Sequence, residues 1–523
     1  FTPSVLAQRT IQRVYQPVQR FHNEPGWDSI SREASSKDFS TMQFLLLAIL
    51  LAQLMLADSF RPRLAGMNYL LVSKSSRVSE LSMSDTHFDF LVIGAGSGGM
   101  ASARRAAGYG AKVAVAEGDR LGGTCVNVGC VPKKVMFNAA TVAEVLHDAG
   151  QFGFETQGAF SLDWKKLKDA RDAYVARLNG IYARNLEGSK VTTLTGMASF
   201  LGPNSVSVSG KTYTADHILI AVGGKPFLPP QLKGVEHCIS SDGFFRMETQ
   251  PKSVAVIGGG YIGVELAGVL HGLGSKTQLF TRGARPLAGF DDLIVDTLLG
   301  EMKKQGIVYN NNQSPTEVVK NADGTMSITT QSGESFGPFD QVLCATGRVP
   351  NTDPLNLPAA SIGTDKKGYV SVDEYQNTAT KGVYALGDVC GQVELTPMAI
   401  AAGRRLADRL FGKMPEAKAD YTNVPTVVFS HPTIGTIGLT EAAAAAQYGA
   451  ENIKVYTSTF TNLYYGTWSL APDQKPKTAM KMITLLPTEK VIGIHSIGMG
   501  CDEALQGFGV AMKMGATKAD FDS

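Results

Sequence analysis

The sequence predicts an α/β fold: two Rossmann-like dinucleotide-binding domains followed by an α+β C-terminal domain. Three observations carry that prediction. An apolar strand running into a glycine cluster and then a helix occurs twice, at 88–117 and again at 253–282. From about residue 422 the pattern changes to alternating strands, such as Thr426–Phe429 and Met480–Leu485. The composition is that of a packed chain rich in turns, with 44% hydrophobic residues, 18% charged residues and 56 glycines in 523 residues. Average usage would give glycine only about 7%. No Gly-X-Y period appears, so the excess is not collagen. A net charge of +2 gives no overall basicity, and no nucleic-acid partner is expected.

Residues 1–84 stand apart, with nine Lys/Arg and six Asp/Glu. The run Phe44–Ala57 (FLLLAILLAQLMLA) is 14 residues long, short of the ~20 a membrane span needs. From Met67 the stretch MNYLLVSKSSRVSELS is Ser-rich and basic, like an organelle presequence. A secretory signal and untranslated sequence are the other readings of this segment. It is left out of the fold, and the expected mature protein has no membrane segment. The expected compartment is cytoplasmic, mitochondrial or both.

The first strand, Phe88–Ile93, leads into Gly94, Gly96, Gly98 and Gly99 and then a helix. The next strand, Lys112–Ala116, ends at Glu117. Glycines let the backbone approach a pyrophosphate, the helix N-terminus favours its charge, and the acid accepts from a ribose diol. The second copy runs from Ser253–Ile257 through Gly258, Gly259, Gly260 and Gly263 to Lys276–Phe280. Here Arg282 takes the acid's place, and an arginine can bind the 2′-phosphate that an acid would repel. The second site should therefore prefer NADPH, with Arg285 close enough to help. Two such units imply either a flavin fed by a nicotinamide or two nicotinamides. The flavin is favoured by Tyr384–Asp388, an apolar strand ending in an acid, and by the strand exit Ala345-Thr346-Gly347.

Six cysteines in 523 residues do not make a disulfide scaffold. Cys238, Cys344, Cys390 and Cys501 are scattered and read as buried, inert thiols. Cys125 and Cys130 are five apart in GGTCVNVGCVPKK. On a regular helix that spacing separates the Cα atoms by ~8–9 Å, beyond the ~7 Å limit for a disulfide. The helix must therefore be distorted there, and Gly122, Gly123 and Gly129 give the freedom. Cys130 would sit at a helix N-terminus beside Lys133, and both lower a thiol pKa.

These segments, with GGGYIGVE, ATGRVPNT, YALGDVCG, TPMAIAAGR and KMGATKADFD, resemble the pyridine nucleotide-disulfide oxidoreductases, and among them the glutathione reductases. The resemblance covers the chain from about residue 85 to its end. It implies an FAD-binding domain at 85–224, an NADPH-binding domain at 225–350, a central FAD-contacting region at 351–421 and a dimerisation domain at 422–523. FAD contacts carried over are Ser97, Thr124, Cys125, Lys133, Ala198, Asp388 and Thr396. For NADPH they are Tyr261, the gate over the nicotinamide, with Ile262, Glu265, Gly347, Glu394 and Val427. Lys133 and Glu265 would form the ion pair beside the flavin. Cys130 would be the thiolate facing the flavin, and Cys125 the thiol that attacks substrate. Glutathione disulfide is anionic, and the resemblance places Arg104 and Arg404 on its carboxylates, with Ser97, Tyr174 and Tyr182 nearby. No metal is implied. The family works as a homodimer.

The sequence departs from the pattern in three places. The family's general-acid His lies in a segment resembling HPTxxEE, and this sequence stops at Ser523, just before it. His431-Pro432-Thr433 imitates that motif but matches a structural segment upstream. An incomplete record and a catalytically impaired truncated form are both readings of that end. A second arginine of the NADPH loop is replaced by Ala288, and Arg285 lies three residues earlier. Glu394 stands where the family often has an apolar residue. The other enzymatic reading is a reductase of a different low-molecular-weight disulfide.

Overall fold

The computed structural model describes residues 86–155 and 160–523. The leader expected over 1–84 lies outside them. The helices that position the site are α1 (Ser97–Gly108), α2 (Gly123–Val128), α3 (Cys130–Asp148), α4 (Trp164–Gly188), α5 (Tyr261–Gly272), α6 (Asp292–Gln305), α7 (Thr396–Phe411), α8 (Glu441–Tyr448) and α9 (Cys501–Lys513).

The first sheet is centred on His87–Ile93, which pairs in parallel with Val113–Glu117 on one side and Lys211–Ile220 on the other. Phe90, Leu91 and Val92 are all fully buried. Successive side chains point to opposite faces, so both faces of the strand are covered, as expected of a parallel sheet between helices. The short strand Val383–Ala385 joins this sheet beside Lys211–Ile220. The chain thus leaves the first domain, builds the second and returns.

The second sheet has the spatial order Val308–Asn310, Lys276–Phe280, Ser253–Ile257, Gln341–Cys344 and Ile239–Ser240, and every neighbouring pair is parallel. A three-stranded antiparallel sheet, Pro315–Lys320, Met326–Thr330 and Ser335–Phe339, lies in the crossover before Gln341–Cys344. The C-terminal domain is a five-stranded antiparallel sheet with α9 packed on it. The two expected parallel units and the α+β end are therefore all present. The observed strands Thr426–Val428 and Thr478–Leu485 differ from the expected ones only at their ends.

One apolar core is shared by α3 (Met136, Phe137, Ala140), the second domain (Val264, Leu266, Leu298) and the C-terminal sheet (Val428, Ile434, Ile497). The helix that begins at Cys130 is thereby fixed against both of them.

The glycines of the two turns have different duties. A Cβ on Gly99 would lie 1.9 Å from Gly94 O, and one on Gly263 would lie 2.1 Å from Gly258 O. Both positions exist so that the helix can touch the strand it follows. Neither neighbour is a side chain that can swing away. Gly263→Ala should therefore cost on the order of 3 kcal/mol or more, seen as a lower melting temperature. An unchanged melting temperature would contradict this packing. Gly403 does the same for two helices: its Cβ would lie 2.5 Å from Ser102 Oγ and 2.6 Å from Gly98 O. This close approach seats α7 against α1.

Candidate active site

A cleft with about 1400 Å³ of atom-free space opens along the carboxyl ends of the first sheet. Gly94, Gly96, Ser97, Gly98, Glu117, Thr124, Cys125, Ala198, Asp388 and Thr396 all line it. These are most of the residues expected to meet FAD. Gly99 and Lys133 are not among the residues that line it. The N-cap of α1 is Gly96, with no side chain hydrogen-bonded to the first-turn amides. Such an uncapped N-terminus is ready for an anion, and a Cβ on Gly96 would meet nothing nearer than 3.9 Å. Glu117 is held by two backbone amides, Ala95 N–H to Oε2 at 2.7 Å and Asp119 N–H to Oε1 at 2.8 Å. It keeps further lone pairs for a diol. Asp388 is pushed above the usual carboxylate range by burial first and by Glu394 second. A long dinucleotide with a pyrophosphate at α1 and a ribose at Glu117 fits these residues.

The redox segment is two helices rather than one. α2 ends at Val128, Gly129 breaks the helix at φ −145° and ψ −123°, and α3 starts at Cys130. A Cβ on Gly129 would sit 2.8 Å from Thr124 O. The break turns the two thiols together, which a continuous helix would not allow. In the dithiol form of the couple the two sulfurs titrate in opposite directions. The Cys130 thiol is lowered to about 6, above all by the hydrogen bond from Cys125, with help from Thr396 and Lys133 and against burial. Cys125 moves the other way, because its proton is held in that same contact. Thr396 Oγ1 lies 3.5 Å from Cys130 Sγ. Iodoacetamide labelling of Cys130 in the reduced protein should rise with pH with a midpoint near 6. Thr396→Val should move that midpoint upward. A midpoint in the ordinary thiol range would contradict the assignment.

Three residues past Cys130, Lys133 Nζ meets Glu265 Oε1 at 2.9 Å, with the side chains 13% and 6% exposed. The same oxygen accepts the Phe429 N–H at 2.8 Å, and the Lys133 ammonium lies 3.9 Å from the centre of the Phe429 ring. The expected pair is therefore formed, between the redox helix and the helix of the second nucleotide fold.

At that second fold, α5 has Gly260 as its N-cap, with no side-chain cap and nothing within 4 Å of a Cβ there. Tyr261 and Ile262 open the helix. Tyr261 is 42% exposed, and its phenol is pushed up by burial first and Glu265 second. Gly347 has φ +129° and open space around a Cβ. Arg282 is exposed at the end of Lys276–Phe280. Arg285 does not stand free beside it, because it is bound to Asp292 and Asp296 at 2.6 Å each. Glu394 accepts the Tyr369 hydroxyl at 3.0 Å. Val427 lies in the edge strand of the C-terminal sheet.

Residues 88–403 match the profile of the pyridine nucleotide-disulphide oxidoreductases, and residues 424–523 match that family's dimerisation domain. The chain belongs to this family. The oxidoreductase is 51% identical over 454 residues to the glutathione reductase of Yarrowia lipolytica, covering 84% of this chain and 96% of that one. It is 49% identical over 444 residues to the glutathione reductase of Schizosaccharomyces pombe, covering 83% and 95%.

In the oxidoreductase, the residues expected to hold substrate lie on three helices. Arg104 is on α1 and exposed, donating to Ser189 Oγ at 3.2 Å, and Arg404 is exposed on α7, the helix that Gly403 seats against α1. Tyr182, on α4, is pushed up by burial first and by the charge of the Cys125 sulfur second. Ser97 also reaches Cys125. Tyr174, 42% exposed two turns earlier on α4, stacks with Arg177 instead.

The structure adds residues that sequence reasoning missed. Arg348 Nη2 lies 3.4 Å from Thr124 Oγ1 at the redox turn. The signal was available, since Arg348 follows Gly347 at the strand exit. Lys134 reaches both the Phe429 ring at 3.8 Å and Asp502 at 3.4 Å. Cys238 and Cys344, far apart in sequence, lie in one core cluster of the second domain. His431 is buried, stacked on Phe137 at 4.6 Å, and lowered to about 4 by burial. It is kept from charge and, among the described residues, has no hydrogen-bond partner at either ring nitrogen, in keeping with a structural role. Among the described residues, no helix is long and apolar enough to cross a membrane.

Proposed function

We infer that this chain is an NADPH-dependent flavoprotein that reduces glutathione disulfide to two glutathiones and works as a homodimer. The observation that carries the reading is the Cys125–Cys130 pair, one thiol acidic and the other holding a proton, set between a dinucleotide cleft and the Lys133–Glu265 pair. FAD, when bound, supplies the chemistry of accepting a hydride from NADPH and handing on two electrons. Gly94–Gly99 and Glu117 hold the flavin nucleotide. Gly258–Gly263 and Arg282 hold NADPH. Lys133 fixes a positive charge behind Cys130.

The thiol chemistry belongs to the chain. The Cys130 sulfur takes the proton of Cys125, and the Cys125 sulfur attacks one sulfur of glutathione disulfide. The substrate's S–S bond breaks, one glutathione leaves, and Cys125 carries the other as a mixed disulfide. Cys130 gives that proton to the departing glutathione sulfur, its thiolate attacks Cys125 Sγ, the bond to the second glutathione breaks, and the Cys125–Cys130 disulfide forms. The thiol–thiolate pair loses two electrons and one proton, and the substrate gains these together with one proton from solvent. Arg104 and Arg404 suit the anionic substrate. Six cysteines in 523 residues, too few for a disulfide scaffold, accord with a cytoplasmic or mitochondrial setting.

The test is steady-state turnover of the FAD-loaded protein with NADPH against a panel of small disulfides. Glutathione disulfide should be preferred by kcat/KM. Preference for a cationic or neutral disulfide would move the assignment to another reductase.

A further inference from the structure

We propose that Arg285 is a positioning residue: it shapes the loop 282–291 so that Arg282 alone meets the 2′-phosphate of NADPH, and it does not touch the phosphate itself. The proposal rests on the NADPH reading above.

The guanidinium of Arg285 is used up. Nη1 donates to Asp292 Oδ1 at 2.6 Å, and Nη2 donates to Asp292 O at 2.9 Å and to Asp296 Oδ1 at 2.6 Å. Nε is shielded and has no partner among the described residues. One arginine between two aspartates leaves the cluster with a charge of −1, which repels rather than draws a phosphate. Both acids belong to the first turns of α6, so Arg285 ties the loop to the start of that helix.

The rest of the loop is fixed as well. The Leu287 N–H donates to Gly259 O at 2.7 Å, which binds the loop to the glycine turn. The Tyr309 hydroxyl donates to Ala284 O at 3.1 Å. At the far end Asp291 caps α6 through the Leu293 N–H, and its carboxylate is held at 2.8 Å by Lys481 of the C-terminal sheet. Against this frame Arg282 is exposed, with no hydrogen bond or ion pair among the described residues. A loop already ordered spends no binding energy on ordering itself, so the free arginine engages a phosphate at full strength.

The two roles predict opposite signs for one variant. Asp292→Asn/Asp296→Asn would release a phosphate-binding Arg285 and remove two repelling charges, so NADPH would bind more tightly. If Arg285 positions the loop, the same change loosens it. Dissociation constants of NADP⁺ and NAD⁺ are to be measured by calorimetry on the FAD-loaded dimer, with KM and kcat beside them. We expect the double variant and Arg285→Ala each to weaken NADP⁺ about three- to tenfold, the worth of one hydrogen bond's geometry. NAD⁺ binding and kcat should stay within about twofold of the parent. Unchanged or tighter NADP⁺ binding in the double variant overturns the proposal, as does equal weakening of NAD⁺. Should the double variant lose FAD or melt early, Asp296→Asn, which removes only one of the bonds, carries the same test. Arg282→Ala tests the underlying reading separately. If it leaves the NADP⁺/NAD⁺ ratio unchanged, the NADPH assignment fails whatever Arg285 does.

Discussion

A Cys125→Ser variant should reduce glutathione disulfide at no more than about a thousandth of the wild-type rate, because a hydroxyl at this position is a far weaker nucleophile than a thiol. The fold should survive, because Cys125 is only half-buried and serine fits the same space. The dinucleotide cleft is lined mainly by other residues, so FAD should stay bound. NADPH oxidation with ferricyanide, an acceptor that bypasses the thiols, should therefore persist. Comparing kcat for the two acceptors separates the roles. Substantial turnover of glutathione disulfide by Cys125→Ser would contradict the assignment, and loss of both activities would point to damage elsewhere.

The second large effect is expected at Glu265. Its carboxylate satisfies the Lys133 ammonium and the Phe429 N–H, and the acid is only 6% exposed. Removing one member of a buried ion pair leaves a charge without a partner in a medium that solvates it poorly, typically about 3–5 kcal/mol. Glu265→Ala should thus lower the midpoint of urea unfolding strongly. Glu265→Gln should lower it less, because an amide oxygen can still accept from both donors. The double variant Lys133→Met/Glu265→Leu should regain much of the loss, since burying two apolar side chains has no desolvation cost. A small shift for Glu265→Ala would mean that water reaches Lys133 and that the pair is weaker than its geometry suggests.

The two nucleotide folds were legible in the sequence because their chemistry is local. Strand, glycines, helix and terminal acid or arginine follow one another within some thirty residues, and each residue type has a physical reason to be there. The distortion at Gly129 was legible for the same reason: two thiols that must meet cannot do so five apart on an intact helix. What periodicity and spacing did not supply is what long-range packing decides. Lys133 and Glu265 are 132 residues apart, and only the family resemblance paired them. The return of Val383–Ala385 to the first sheet left no mark in its own three residues.

Arg285 shows the limit most clearly. Its distance along the chain from Arg282 suggested a second phosphate ligand, but the acids that occupy it, Asp292 and Asp296, stand on the next helix. Likewise nothing in the spacing of Cys238 and Cys344 announced that the short strand Ile239–Ser240 would pair beside Gln341–Cys344. Lys134, adjacent to Lys133 in sequence, was passed over because its partner Asp502 lies 368 residues away.

In the proposed mechanism Cys125 is the sulfur that meets glutathione disulfide and Cys130 the one that resolves it. A Cys130→Ala variant cannot resolve, so the mixed disulfide should accumulate. After brief reduction, removal of the reductant and addition of glutathione disulfide, peptide mass spectrometry should find one glutathionyl group, on Cys125. The adduct should be absent from Cys125→Ala, where Cys130 remains. An adduct on Cys130 in Cys125→Ala with none on Cys125 in Cys130→Ala would contradict the account.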